Sequence, residues 1–204
     1  MSTACRPGFL FAVVALLALT GCDLYIPIFH EDPTTLKDDR SEAAQQIDDR
    51  IRGDILSAFV EQEVGTLKNV TLDVYEQNVL LTGTVAGPEA KDTAGAVAAS
   101  TDGVRNIVNE IQVMKDSSLR DKAEDLSIEN NLKASLREST RVNSFNLRWS
   151  IVNKVVYMFG RAKSQKERDA ALGIARSVKG VKDVVDHIEV RLPDGAQSWL
   201  NNLL

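Results

Sequence analysis

Hydrophobic and polar residues follow one pattern twice along this chain, at a constant offset of 77 residues and without a gap. In each copy, apolar residues at spacing four come first and predict an amphipathic helix. Two stretches of alternating apolar residues then predict strands joined by a tight turn, which is residues 76–78 in the first copy. A second helix and a last apolar strand complete the order α-β-β-α-β. The first-helix positions are Ile47, Ile51, Ile55 and Phe59 in one copy and Ile128, Leu132 and Leu136 in the other.

The strand positions predict which sheet face packs under the helices. Trp149 takes the place of Leu72 and is therefore predicted to lie in the core. Tyr157 and Phe159 alternate with the core positions, so they point to the opposite face, which must be covered by the other copy, by a partner or by lipid. The core positions are Val70, Leu72, Val74, Val79, Leu81, Gly83 and Val85 in the first copy, and Leu147, Trp149, Ile151, Val156, Met158, Gly160 and Ala162 in the second.

Local signals predict the ends of the second helix in each copy. Pro88 suits a first helical position, because a proline there loses no intrahelical hydrogen bond. Ser164 and Glu167 have the spacing of a capping box. Gly103 and Gly180 are predicted to end the two helices at C′, where glycine takes a left-handed conformation at little steric cost.

A register kept over so many positions predicts a duplicated domain, residues 42–115 and 120–192. The fold class is α+β, and each copy is expected to form a three-stranded sheet covered on one face by two helices. A unit of about 70 residues buries only about 60% of its chain surface and is marginal alone. We therefore expect the two copies to pack on each other.

The N-terminal residues predict export. An apolar run over residues 9–19 follows Arg6 and precedes small residues, which is typical of a secretory signal. As a helix the run rises about 16 Å, against about 30 Å of bilayer hydrocarbon, so it is too short to span a membrane. Leu19-Thr-Gly-Cys22 resembles the lipobox of bacterial lipoproteins, where cleavage precedes a diacylated cysteine. This resemblance implies a signal peptide over 1–21 and lipidation of Cys22.

The limits of the signal peptide and of the two domains leave two further segments. Residues 22–41 are predicted to be the lipidated tether, in which the apolar stretch 24–29 either lies in the membrane interface or docks on a domain. Residues 193–204 form a C-terminal tail whose Trp199 caps its own domain or contacts a partner or the membrane. Because Cys5 leaves with the signal and Cys22 is lipidated, no disulfide is expected in the mature chain.

Charge differs between the copies. The net charge of −5 argues against a nucleic-acid partner. Residues 38–116 hold seven basic and fifteen acidic side chains, a balance of −8, whereas 120–192 hold fifteen and ten, a balance of +5. The cations around the last helix either meet anionic lipid, contact the acidic first copy or form a solvated face. They are Lys163, Lys166, Arg168, Arg176, Lys179 and Lys182.

Nothing in the sequence indicates catalysis. The two histidines are His30 in the tether and His187 in a strand, where Asp186 and Glu189 mark a surface position. No metalloprotease, serine-hydrolase or phosphate-loop motif is present. The sequence therefore predicts no enzyme, no cofactor and no metal site.

Two segments carry a family resemblance. Val79-Leu-Leu-Thr-Gly83-Thr-Val85, an alanine-rich helix, and Gly103-Val-Arg-Asn-Ile-Val108-Asn-Glu-Ile111 resemble a BON domain. The second copy matches through Val156-Tyr-Met-Phe-Gly160 and Gly180-Val-Lys-Asp-Val-Val185-Asp-His-Ile188. With the lipobox, the chain is similar to dual-BON envelope lipoproteins.

This resemblance implies a function as well as a fold. It implies a non-enzymatic periplasmic protein whose second domain binds anionic phospholipid and supports envelope integrity. The alternative is an adaptor that recruits an envelope assembly factor through the second sheet face or the tail. The family favours the outer membrane, but Asp23 directly after the lipidated cysteine is an inner-membrane signal in enteric bacteria.

Overall fold

The computed structural model describes residues 37–61, 67–114 and 119–191, which belong to one compact unit, Thr34–Leu204. The first copy consists of α1 (Glu42–Glu61), β1 (Val70–Tyr75), β2 (Asn78–Val85), α2 (Pro88–Ser100), β3 (Asn106–Asn109) and β4 (Gln112–Val113). The second consists of α3 (Leu119–Glu138), a short 3-10 helix (Ser144–Asn146), β5 (Leu147–Val152), β6 (Val155–Ala162), α4 (Gln165–Ser177) and β7 (Asp183–Val190).

Both copies have the same sheet topology, and the predicted α+β fold of two tandem domains is confirmed. In the first copy β1 and β2 form an antiparallel hairpin, with Val70 opposite Gly83. Helix α2 then connects β2 to β3. Both β3 and β4 pair with β2, and both run parallel to it. The second copy repeats this order as β5-β6-β7. Its last strand is continuous, whereas in the first copy Glu110 and Ile111 interrupt it.

The helices cover one face of each sheet, as the pattern predicts. Ile51, Ile55 and Phe59 of α1 are buried against the strands. Ile47 was predicted to join them, but it is 38% exposed, and the buried residue beside it is Asp48.

A carboxylate on the first helix of each copy holds the hairpin turn. Asp48 accepts hydrogen bonds from the backbone N–H groups of Glu76 and Gln77, each at 2.7 Å. Asp125 accepts matching bonds from residues 153 and 154, at 2.8 and 2.7 Å. Both residues of each turn have positive φ, as type I′ hairpins require. These paired bonds explain why a charged side chain is buried where the apolar spacing predicted isoleucine.

The central strand of each sheet needs glycine at one position. Gly83 and Gly160 have φ of +109° and +114°. A Cβ atom on either would overlap a backbone carbonyl oxygen, that of Asn69 or Asn146, each of which directly precedes the neighbouring strand. These glycines are therefore structural.

Gly103 and Gly180 do not lie at the C′ positions that the sequence predicted for them. Helices α2 and α4 end at Ser100 and Ser177, with Thr101 and Val178 as C-caps, so neither glycine is at C′. Gly103 and Gly180 instead occupy the third place of the turn that follows each helix, with φ of +87° and +98°. In both copies a hydrogen bond between backbone groups closes this turn, at 3.3 Å and 3.2 Å. Each helix therefore ends three residues before its glycine, and the turn that contains the glycine leads towards the last strand.

We predict that Gly160→Ala lowers the free energy of unfolding by about 3 kcal/mol or more, from steric overlap and backbone strain together. Urea unfolding of residues 34–204, followed by tryptophan fluorescence, measures the change. The control is Gly173→Ala in α4, where a Cβ meets nothing within 4 Å. This control should gain about 0.5–1 kcal/mol from helix propensity. Equal effects of the two substitutions would contradict the assignment.

Candidate functional site

The second faces of the two sheets pack against each other, and we call this contact the seam. Its apolar part is a cluster of buried residues from both copies: Tyr75, Leu80, Val152, Tyr157 and Phe159. Across it the hydroxyls of Thr82 and Ser150 are 2.8 Å apart. Every residue of β2 and β6 except the first is buried, because helices cover one side and the other copy covers the opposite side. Of the three coverings expected for this face, the structure shows the other copy.

Tyr75 is the largest side chain that the seam buries almost completely. It is 2% exposed, and the guanidinium groups of Arg40 and Arg148 lie 4.4 and 5.4 Å from its ring centroid. Such contacts combine cation–π attraction with the exclusion of water. Burial raises the pKa of Tyr75 to about 12, and the nearby charge of Asp38 adds to this shift. Within the described part of the chain, its hydroxyl has no hydrogen-bond partner.

Ion pairs at the seam join the basic second copy to the acidic first copy. Arg161, which is 3% exposed, donates from Nη1 to Oε1 of Glu76 at 2.9 Å. Arg191 pairs with the other oxygen of the same carboxylate. Farther along the seam, His187 Nε2 and Glu110 Oε1 are 2.8 Å apart. Part of the positive charge of the second copy is therefore neutralised by acidic side chains of the first copy.

The segment at residues 37–40 connects the two copies, and we call it the strap. The backbone N–H of Asp39 donates to Oδ1 of Asn146 at 2.9 Å, and the Asn146 amide returns a bond of 2.6 Å to the Asp39 carboxylate. Arg40 donates in the other direction, to Asp48 of the first copy at 2.5 Å. The last residues of the predicted tether are therefore part of the fold.

Two of the six predicted lipid-binding cations are engaged within the protein. Lys163 Nζ lies 3.2 Å from Oδ2 of Asp39 in the strap. Arg168 donates two bonds to Oδ2 of Asp186 on β7, from Nε at 2.8 Å and from Nη2 at 2.6 Å. Both are half-buried and serve the fold of the second copy.

The other four cations form what we call the outer basic surface: Lys166, Arg176, Lys179 and Lys182. All four are exposed, and none makes an ion pair with any residue that the structure describes. Lys166 lies in the first turn of α4 and Arg176 in the last, so the surface follows a helix of about 20 Å. The first copy has Glu89, Ala99, Asp102 and Arg105 at the matching positions. The surface is thus a property of the second copy alone.

Sequence reasoning missed the charged residues of the seam. Arg161 alternates with Tyr157 and Phe159 along β6, so the strand period already placed it on the face opposite the core. No periodic signal marks Glu76, which is a turn residue, or Arg191, which follows the last strand. Their pairing depends on the docking of the copies and is not encoded locally.

Several predicted features lie outside the described residues. These are Cys22, the apolar stretch 24–29 and the tail with Trp199. Within the described ranges, no helix has the length and apolarity to cross a membrane. The same ranges contain no group of three or more His, Cys, Asp or Glu side chains arranged to hold a metal ion.

Comparison with known families matches both copies. The sequence model of the BON domain matches residues 47–115 and 124–191, which is most of the described chain.

Three relatives illustrate the range of similar proteins. An uncharacterized protein from the gshII 5′ region of Anaplasma centrale is 38% identical over 128 residues, covering 62% of this chain and 85% of its own length. The outer membrane lipoprotein DolP of Haemophilus influenzae is 31% identical over 54% of this chain, and this chain spans 57% of DolP. The osmotically inducible protein Y of Escherichia coli is 25% identical, covering 71% of this chain and 73% of its own length.

The environment of Tyr75 predicts a dependence of stability on alkaline pH. Because its folded-state pKa is about 12, above the ordinary value of about 10, the folded state favours the neutral phenol. The resulting stability is complete below about pH 10 and is lost as the pH rises towards about 12. Urea unfolding at about pH 9 and about pH 11 should therefore show a larger loss in the wild type than in Tyr75→Phe. Equal losses would show that Tyr75 ionises normally.

Proposed function

The chain belongs to the BON domain family, and from this membership we propose that it is a lipid-anchored protein of the bacterial cell envelope. In this proposal it faces the periplasm, and its second domain binds anionic phospholipid to support the integrity of the envelope. The role is non-enzymatic, since binding alone accounts for the features of the site.

The outer basic surface is the observation that carries the proposal. Each Lys or Arg near an anionic lipid surface contributes about 1 kcal/mol within a Debye length. The seam and the strap take up other cations of the second domain, namely Lys163, Arg148, Arg161 and Arg191. The four that face outward have no such partner in the described chain, and together they favour an anionic surface outside the molecule.

With the proposed anchor at Cys22, even a weak affinity of the second domain for lipid would be enough to hold that domain on the bilayer. Fourteen residues separate Cys22 from the strap at Lys37, and an extended chain of that length spans at most about 50 Å. A lipidated Cys22 would keep the second domain within that distance of the bilayer, so its effective concentration at the surface is high. The strap supports this arrangement because it ties the tether to both domains.

The outer membrane is the proposed location, as the name of the DolP relative states for that protein. Asp23 points to the inner membrane as the alternative. An adaptor role has less surface available than expected, because the seam covers the sheet face that was one of its two predicted contact sites.

The test is co-sedimentation of residues 34–204 with vesicles that are zwitterionic or contain anionic phospholipid, at low and high salt. We expect binding to anionic vesicles only, and its loss at high salt. The triple variant Lys166→Glu, Lys179→Glu and Lys182→Glu should abolish this binding, because it reverses three charges of the outer basic surface.

The matched control reverses three cations of the first domain, Lys68, Lys91 and Arg105, to Glu. This control changes the net charge by the same amount, so it separates a local surface from overall charge. Binding is expected to survive in it. If both triple variants lose binding equally, or if the wild type binds zwitterionic vesicles as well, the proposal is wrong.

A further inference from the structure

The second domain has a cavity of about 330 Å³ between α3, the β5–β6 turn and the turn after α4. Polar side chains from three elements line it: Ser127 and Asn131 of α3, Lys154 of the hairpin turn, and Lys179 next to Gly180. We infer that this cavity binds a phosphate-bearing group. The inference rests on the proposed function, because it specifies how the second domain would recognise a phospholipid headgroup.

The chemistry of the lining fits a phosphate ester. Hydroxyl, amide and ammonium groups are the donors that phosphate oxygens accept from. Glu124 also lines the cavity, and its carboxylate is paired with Lys154 at 2.6 Å. Because that pair is neutral overall, the net charge of the lining is +1, and Lys179 supplies it. The volume is at the lower end of the range for small-ligand sites, about 300–1,000 Å³.

The walls of the cavity are held by hydrogen bonds before any ligand arrives. Asp125 fixes the hairpin turn through the backbone N–H of Lys154 at 2.7 Å. The carbonyl of Lys154 accepts from the backbone N–H of Lys182 at 2.8 Å, which joins the two turns. Lys179 lies in the turn closed by the bond from Val181 to Val178. A preformed site binds with a smaller ordering cost than a mobile one.

At the matching place, the first domain has different side chains. Arg50 occupies the position of Ser127, and its Nη2 lies 3.4 Å from where a Cβ of Gly103 would be. At the matching place in the second domain, the nearest atoms to a Cβ of Gly180 belong to Ile128 only. Asp54 and Asp102 replace Asn131 and Lys179. The first domain therefore has a guanidinium at the position of the opening and carboxylates at two positions that hold donors in the second.

The probe is glycerol 3-phosphate, titrated into residues 34–204 while amide chemical shifts are followed by NMR. We expect the largest shifts at Ser127, Asn131 and Lys179. Ser127→Arg and Lys179→Asp copy the first domain, which folds with those residues, and each should weaken binding about tenfold or more. The loss in Ser127→Arg is diagnostic, because this variant gains positive charge.

The controls lie on the same domain but outside the lining. Asn130→Arg adds the same charge to an exposed site of α3, and Lys133→Asp removes an exposed cation of α3 that belongs neither to the lining nor to the outer basic surface. Neither should weaken binding by more than about twofold. If Ser127→Arg binds as well as the wild type, or if Asn130→Arg and Lys133→Asp change affinity as much as the lining variants, the assignment of the binding site to this cavity is wrong.

Vesicle binding identifies the source of the phosphate. Loss of both glycerol 3-phosphate and anionic-vesicle binding in Ser127→Arg supports a headgroup pocket. Loss of glycerol 3-phosphate alone supports a pocket for a soluble phosphate ester. If the wild type binds anionic vesicles but not glycerol 3-phosphate, the pocket is overturned while the proposed function stands.

Discussion

The structure depends on the packing of two sheets whose second faces are both apolar. Each repeat has two helices, and these cover only one face of its sheet. In an isolated domain the opposite face would expose apolar residues such as Leu80 and Phe159 to water, which would cost free energy of folding. Each copy therefore covers the other, and the ion pairs of Arg161 and Arg191 with Glu76 lie at this contact.

The seam explains why the copies differ where they do. Tyr75 matches Val152, Glu76 matches Asn153 and Arg161 matches Thr84. The two sheets thus meet through different side chains, and one copy supplies the half-buried Glu76 while the other supplies the buried Arg161 and the half-buried Arg191. A buried ion pair of this kind is a weak source of net stability, but removing one partner is costly because the other charge stays buried. The pair therefore favours this docking over alternatives in which Arg161 is unpaired.

Much of the fold could be predicted from the sequence, because its determinants are periodic and occur twice. The alternation that buries Leu72 and Leu81, and the spacing that buries Ile51 and Ile55, are local properties. The prediction was wrong at Ile47 because spacing alone did not reveal that Asp48 binds a turn 28 residues away. The glycines of the post-helix turns were misplaced for a similar reason, since composition identifies a turn residue but not the length of the turn.

The candidate site was predictable only in part. Counting charges located the basic helix region, but it could not separate Lys163 and Arg168, which are engaged internally, from the four cations that face outward. The cavity at Ser127 was not predicted, because it depends on a small residue where the first copy has a large one, and a small residue gives no signal of its own. Comparison of the two copies at Arg50 and Ser127 is the signal that could have located it.

We infer that the two domains unfold as one cooperative unit because of the seam. Differential scanning calorimetry of residues 34–204 measures this cooperativity, and Glu76→Ala is the perturbing variant. We expect a single transition in the wild type, with equal calorimetric and van't Hoff enthalpies. In Glu76→Ala we expect a lower midpoint for the whole molecule, because Arg161 and Arg191 lose their shared partner. Two independent transitions in the wild type, or a variant in which only one domain is destabilised, would contradict it.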